Sequence, residues 1–118
     1  MTREFDRDLM RGSTDLMVLS VLIDGPKYGY LIQQQIEQAS DGMVNIKAGT
    51  LYPLLHRLEA AKMLRSKVDR STGRERKWYE LTAAGRRKLK TQAQQWTSYA
   101  DCLKKLLSPV IDSPPHPA

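Results

Sequence analysis

Thirteen basic side chains lie between Lys47 and Lys90: Lys47, Arg57, Lys62, Arg65, Lys67, Arg70, Arg74, Arg76, Lys77, Arg86, Arg87, Lys88 and Lys90. Four acids share that stretch, Glu59, Asp69, Glu75 and Glu80, which leaves a local charge of +9. The whole chain of 118 residues carries only +6, so everything outside the segment is acidic on balance. A contiguous positive block is the electrostatic footprint of a phosphate-backbone binder. An ordinary solvated face is the plain alternative. Within the block, Arg70, Arg74 and Arg76 outnumber Lys77 around one glycine turn, and arginine matches phosphate geometry better than lysine does.

Other chemistries find few residues to work with. The two histidines are His56 and His116, and Cys102 is the single cysteine. No Ser/His/Asp set, carboxylate pair or phosphate-cradling glycine loop is visible, so no catalysis is expected. One cysteine and two distant histidines cannot supply the usual tetrahedral metal set, so neither metal nor cofactor is expected. Cys102 can close no disulfide within the chain, and no C-x-x-C pair occurs. Residues 1–9 alternate charges without an apolar core, so no signal peptide is read there. No apolar run approaches the roughly 18 residues of a membrane span. A soluble protein of the cytoplasm, with no membrane partner, is expected.

The elements that must carry the basic block can be read from hydrophobic period. Phe5, Leu9, Gly12, Leu16, Leu19 and Ile23 are spaced 4, 3, 4, 3, 4, one stripe of an amphipathic helix. Gly12 interrupts it and sets the first residues apart as an arm. Asp24-Gly25-Pro26 stops it. A second helix is predicted from about Tyr28 to Ala39, with Ile32, Ile36 and Ala39 on one face. A third is predicted over about Lys47–Ala61, with Leu51, Leu54, Leu55 and Leu58 apolar. Proline is tolerated in a first helical turn, so Pro53 places the effective start near Gly49-Thr50, with Thr50 as cap.

Two alternating runs follow, Leu64 to Asp69 and Arg74 to Leu81, joined by Arg70-Ser71-Thr72-Gly73. They predict a β-hairpin with Tyr79 and Leu81 on one face and Arg74, Arg76 and Trp78 on the other. Thr82 then caps a long helix to about Leu107. Leu89, Ala93, Trp96, Ala100, Leu103 and Leu107 repeat at 4, 3, 4, 3, 4, an a/d seam that packs along another helix. Ser108 to Ala118 holds four prolines and is expected to be disordered.

The predicted architecture is mostly α with a small β-hairpin, a winged helix-turn-helix followed by a C-terminal dimerisation helix. Residues 1–82 form the DNA-binding domain with its helical arm, 83–107 the dimerisation helix and 108–118 the tail. In such folds the third helix enters the major groove and the wing touches the adjacent backbone. A helical wheel turns Gly49, Pro53, His56 and Ala60 away from the core, with Tyr52 and Arg57 flanking them. Tyr28, Lys47, Thr50, Tyr52, His56 and Arg57 are therefore the candidate DNA contacts of the helices, and Arg74, Arg76 and Lys77 those of the wing. The dimer is expected to use Leu9, Leu16, Leu89, Trp96, Leu103 and Leu107. Trp96, with Ala93 and Ala100 on either side, can line a slot across the two-fold axis for a planar apolar or cationic molecule. An aromatic on a heptad seam also serves as plain core, and both readings stand at this point. The competing function is a helical interaction module that never touches nucleic acid.

Three motifs resemble one family. Gly49-Thr-Leu-Tyr-Pro-Leu-Leu-His-Arg-Leu-Glu59 is similar to the recognition-helix signature of PadR-type transcriptional regulators. Gly25-Pro-Lys-Tyr-Gly-Tyr30 resembles that family's turn before helix two. Gly73-Arg-Glu-Arg-Lys-Trp-Tyr-Glu-Leu-Thr82, followed by Gly85, resembles its wing, with Trp78 where a tyrosine is usual. The resemblance runs from about residue 13 to 107. It implies a homodimeric winged-helix repressor on a pseudo-palindromic DNA operator, responsive to a small molecule or stress. The single short C-terminal helix resembles the smaller branch, which includes multidrug-sensing repressors. Members of that branch carry a tryptophan on this helix that stacks on drugs, and their partner genes often encode efflux pumps.

Overall fold

The computed structural model describes Phe5 and residues 10–112. Gly12 has φ +89°, a left-handed conformation open to glycine at little cost, and it breaks the chain just before the first regular helix. That helix, α1 (Thr14–Val21), starts without a side-chain cap; Ser13 Oγ donates to Met10 O instead, at 2.7 Å. Val18, Leu19 and Leu22 are fully buried, whereas Ile23 is half exposed. The buried face is thus turned from the Leu16–Leu19–Ile23 stripe. The reason is tertiary: α1 packs on two helices at once, the following one and the last one.

After Gly25 and Pro26 comes a two-residue strand, β1 (Lys27–Tyr28), where the sequence pattern predicts a helix start. Tyr28 is extended, with ψ 162°, and is the N-cap of α2 (Gly29–Ala39). Its strand partner lies fifty residues downstream in the wing, so no local pattern announces it. Ile32 and Ile36 of α2 are buried, but Ala39 is exposed. Asp41 and Gly42 turn the chain at positive φ. Val44 and Ile46 then plug the core from a loop, and Gln33 Nε2 holds Ile46 O at 2.8 Å.

Helix α3 (Ala48–Ala60) buries Leu51, Leu54, Leu55 and Leu58 as expected. Its cap is Lys47 rather than Thr50: Lys47 is extended, and its carbonyl accepts from Thr50 N and Leu51 N at 3.0 and 2.9 Å. Pro53 therefore stands in the second turn. The carbonyl it leaves without a donor is that of Gly49, four residues back. Gly49 is exposed, so water can satisfy it.

Strands β2 (Leu64–Asp69) and β3 (Arg76–Leu81) form the hairpin, and β1 joins β3 to give an antiparallel sheet of order β1-β3-β2. The register sets Lys27 opposite Tyr79, Tyr28 opposite Trp78 and Lys67 opposite Trp78. Tyr79 and Leu81 are buried as predicted. Thr82 does cap the last helix, α4 (Ala83–Asp112): its Oγ1 accepts from Gly85 N at 2.9 Å and donates to Lys62 O at 2.7 Å.

The first two turns of α4 belong to the domain core. Gly85 is buried with no room for a side chain, since a Cβ would lie 2.1 Å from Met63 O. Leu89 is 8% exposed within the core cluster. This corrects its expected place in a dimer seam: the chain covers Leu89 itself. Beyond Leu89, only Gln92 and Trp96 of the described α4 residues are even half-buried. The helix also outruns its predicted end at Leu107, passing Pro109 to Asp112, with Ser108 Oγ donating to Asp112 Oδ2 at 2.9 Å. A proline this near the end removes one exposed backbone bond, a local loss that leaves the preceding turns intact. Residues 113–118 of the expected tail lie outside the described residues.

Candidate nucleic-acid interface

Tyr52 and the wing meet across the start of α2. The Tyr52 hydroxyl lies over Gly29, where a Cβ would come within 2.5 Å of it. Glycine at the head of α2 is what lets the ring seat there. Tyr28, Gly29, Tyr30, Tyr52, Arg74, Glu75, Arg76 and Lys77 line one open cleft of about 460 Å³. Five candidate DNA contacts, drawn from β1, α3 and the wing, are thereby brought together: Tyr28, Tyr52, Arg74, Arg76 and Lys77.

These five are held differently. The Arg76 guanidinium lies 5.0 Å from the centroid of the Tyr28 ring. Tyr28 in turn meets Trp78 edge to face, with centroids 5.0 Å apart at 89°. Lys77 is half-buried on the opposite face of the strand, 3.7 Å from Glu59 and 5.6 Å from the centroid of the Tyr79 ring. Glu59 also accepts a hydrogen bond from Ser66 Oγ, so it ties the end of α3 to β2 and β3. Burial pushes the Tyr79 hydroxyl pKa up, and the Glu59 carboxylate and Tyr52 add to the effect. Tyr79 therefore stays neutral beneath the cleft.

The wing tip is fixed by its own turn. Gly73 takes φ +78°, and its N–H donates to Arg70 O at 3.2 Å. Asp69 accepts from Ser71 N at 2.9 Å. That backbone bond, with help from the Ser71 hydroxyl, Trp78 and Arg76, holds the Asp69 carboxyl below its ordinary pKa.

Arg57 is placed apart from this group. Its guanidinium forms a bidentate pair with Asp15 of α1, at 3.1 and 3.0 Å. It lines a second groove with Gly12, Asp15, Gly49, Thr50 and Pro53. The wheel gave its direction on α3 but not the carboxylate waiting on α1; the Arg57 side chain stays 64% exposed within this pair. Lys47, Thr50 and His56 are exposed.

Three residues that position the site escaped sequence reasoning. Asp15 and Glu59 each hold a basic residue of the surface. Lys27, 5% exposed, is bonded to Asp24 and reaches Gly25 O at 3.5 Å. No local signal marks it, because a lysine is read as exposed and its strand partner is Tyr79 in the wing.

On α4, Trp96 is half-buried and meets Tyr99 edge to face at 5.6 Å and 88°. A Cβ on Gly12 would lie 4.0 Å from its indole, so the turn before α1 covers part of the ring. Ala93 and Ala100 are exposed beside it. Leu16 packs half-buried against the core. Leu103 and Leu107 are exposed. Leu9 and His116 lie outside the described residues. Among those residues no helix is long and apolar enough to cross a membrane.

A helix-turn-helix with a cationic wing is an arrangement for binding duplex DNA. The family model of PadR-like transcriptional regulators matches residues 18–91. A transcriptional regulator of Mycobacterium tuberculosis is 35% identical over 80 residues, 68% of this chain and 72% of that one. The structure of a transcriptional regulator from Clostridium thermocellum matches with a TM-score of 0.79 at 32% identity, covering 86% of this chain and 96% of the other. A PadR-family regulator from Eggerthella lenta matches with a TM-score of 0.71 at 38% identity, covering 85% and 82%. These relatives are regulators of transcription and not enzymes. With the match spanning both helices of the turn, the wing and the base of α4, the chain belongs to the PadR-like family of transcriptional regulators.

Proposed function

We propose that the chain is a homodimeric repressor that binds a pseudo-palindromic operator and is released by a small molecule. The observation that carries the DNA contact is the cleft joining Tyr52 of α3 to Arg74 and Arg76 of the wing, open to solvent and rich in donors. Tyr52, supported by Lys47, Thr50 and His56, reads base edges, and Arg74, Arg76 and Lys77 hold the backbone. Arg57 joins them when it leaves Asp15.

The second copy covers the free half of α4. Ala93, Ala100, Leu103 and Leu107 are exposed, and so are Leu106, Val110 and Ile111 at 69%, 73% and 75%. A run of apolar surface that size marks an interface. Trp96 lies at the centre of the assembly, and Ala93 and Ala100 leave room beside it for a planar apolar or cationic effector. A tryptophan on this helix supports the reading of the chain as a member of the smaller, multidrug-sensing branch, a cytoplasmic regulator of a neighbouring efflux or detoxification gene.

The test is binding of a labelled duplex at several salt concentrations, with sedimentation in parallel. Affinity should fall steeply with salt, because phosphate contacts release counterions. Arg76→Ala should weaken binding to all sequences alike and flatten the salt slope by about one unit. A salt-independent interaction, or none, would leave the chain as a helical interaction module.

A further inference from the structure

Four residues of the basic block are tied to acids. Arg57 pairs with Asp15, Arg65 with Glu80, Arg70 with Glu75 and Lys77 with Glu59. Arg76 is held in another way. Its cross-strand partner Asp69 acts on it through charge without a salt bridge among the described residues, and the face of the Tyr28 ring lies 5.0 Å from the guanidinium. A guanidinium lying on a ring keeps its in-plane N–H donors free. An acid partner would instead occupy two of them.

Tyr28 is itself fixed from two sides. Its backbone pairs with Trp78 in the β1–β3 register, and the Trp78 ring meets it at 89°. Tyr28 is also the N-cap residue of α2, extended at ψ 162°, so its Cα direction is set by both the sheet and the helix start. The result is a chain of contacts, with Trp78 edge-on to Tyr28 and Arg76 over the Tyr28 ring, and Tyr28 and Arg76 lining the cleft.

We propose that Tyr28 is a positioning residue: its ring orients the Arg76 guanidinium toward the DNA, while its hydroxyl takes no part in binding. This revises Tyr28 from a direct contact to a support, and it rests on the DNA-binding reading above. The ring contact spends none of the donors of Arg76, and it spares that long side chain the ordering cost it would otherwise meet on binding.

The test combines a double-mutant cycle with a measurement on the free protein. Tyr28→Phe keeps the ring and should bind duplex like the wild type. Tyr28→Leu should weaken binding about 2- to 5-fold, the size of an exposed cation–π contact. In an Arg76→Ala background the same change should have no further effect. Free in solution, the Arg76 side-chain protons should show upfield ring-current shifts in NMR that persist in Tyr28→Phe. Loss of binding in Tyr28→Phe equal to that in Tyr28→Leu would show a hydroxyl contact and overturn the proposal. So would equal effects of Tyr28→Leu with and without Arg76, or unshifted Arg76 protons. The NMR result needs neither DNA nor the leucine variant, so it stands even if Tyr28→Leu does not fold. Failure of the wild type to bind duplex counts against the DNA-binding reading instead.

Discussion

Gly29 and Gly85 both lack room for a methyl group, but they face different neighbours. At Gly85 the obstacle is a backbone carbonyl, Met63 O, 2.1 Å from the would-be Cβ. Neither element can yield easily there. Gly85→Ala should cost about 1–3 kcal/mol as overpacking, more than the roughly 1 kcal/mol that alanine gains in a helix. A urea midpoint that rises instead would contradict the close approach. At Gly29 the obstacle is the far end of Tyr52, which can swing away. Gly29→Ala should leave stability within about 1 kcal/mol yet weaken duplex binding, because Tyr52 loses its seat. Asp15→Asn should act in the opposite direction. It releases Arg57, so binding should strengthen and the salt slope steepen by up to about one unit. Unchanged binding would mean Arg57 merely braces α1. The pair Asp24–Lys27 predicts a pH dependence. The hydrogen bond and charge of Lys27 hold Asp24 below its ordinary pKa of 3.8. A lowered folded pKa adds stability above the unfolded value and loses it as pH falls through the folded one. The stability gap between wild type and Asp24→Asn should thus be constant near neutrality and shrink below pH 3.8. A gap that persisted at lower pH would show that charge is not its source.

Helix α4 is covered over its first turns and uncovered beyond them, and one heptad stripe spans both parts. Leu89 lies in the core of its own chain, whereas Leu103 is 38% exposed on the far half. Leu89→Ala should therefore destabilise the folded chain itself by about 2–4 kcal/mol, seen in denaturant midpoints extrapolated to low protein concentration. Leu103→Glu should leave the secondary structure of the domain intact and shift sedimentation from dimer to monomer at micromolar concentration, because it buries an unpaired charge in the assembly. A monomeric wild type would remove the interface altogether. Of the 30 residues of α4, spanning about 45 Å, the first turns are covered and the rest project. Heptad spacing gave no sign of that division, since it records which residues share a face and not what covers them.

At the scale of the molecule, two copies joined through α4 would present two recognition helices to one face of a duplex. Half-sites about one helical turn apart, roughly 34 Å, follow from that symmetry. Inserting half a turn, about 5 base pairs, between the half-sites should abolish high-affinity binding, and a full turn of about 10 should restore part of it. Indifference to spacing in a gel-shift series would argue that each protomer binds alone.

The sequence by itself determined the local terms. Alternation of Leu64–Asp69 and of Arg74–Leu81, whose strand begins at Arg76, the leucines of α3 and the Thr82 cap are near-neighbour patterns, and each was legible without a fold. The family likeness rested on the same short stretches. Tertiary structure decided what depends on distant partners: the strand β1 that pairs with β3, the turn of the buried face of α1 between two helices, and the capture of Arg57 by Asp15, 42 residues away. It also placed Leu89 inside and Tyr28 beneath Arg76. Hydrophobic period and capping act over one or two turns of chain. Strand pairing, ion pairs and ring stacking are set by where the backbone brings far segments together, and no local spacing encodes that.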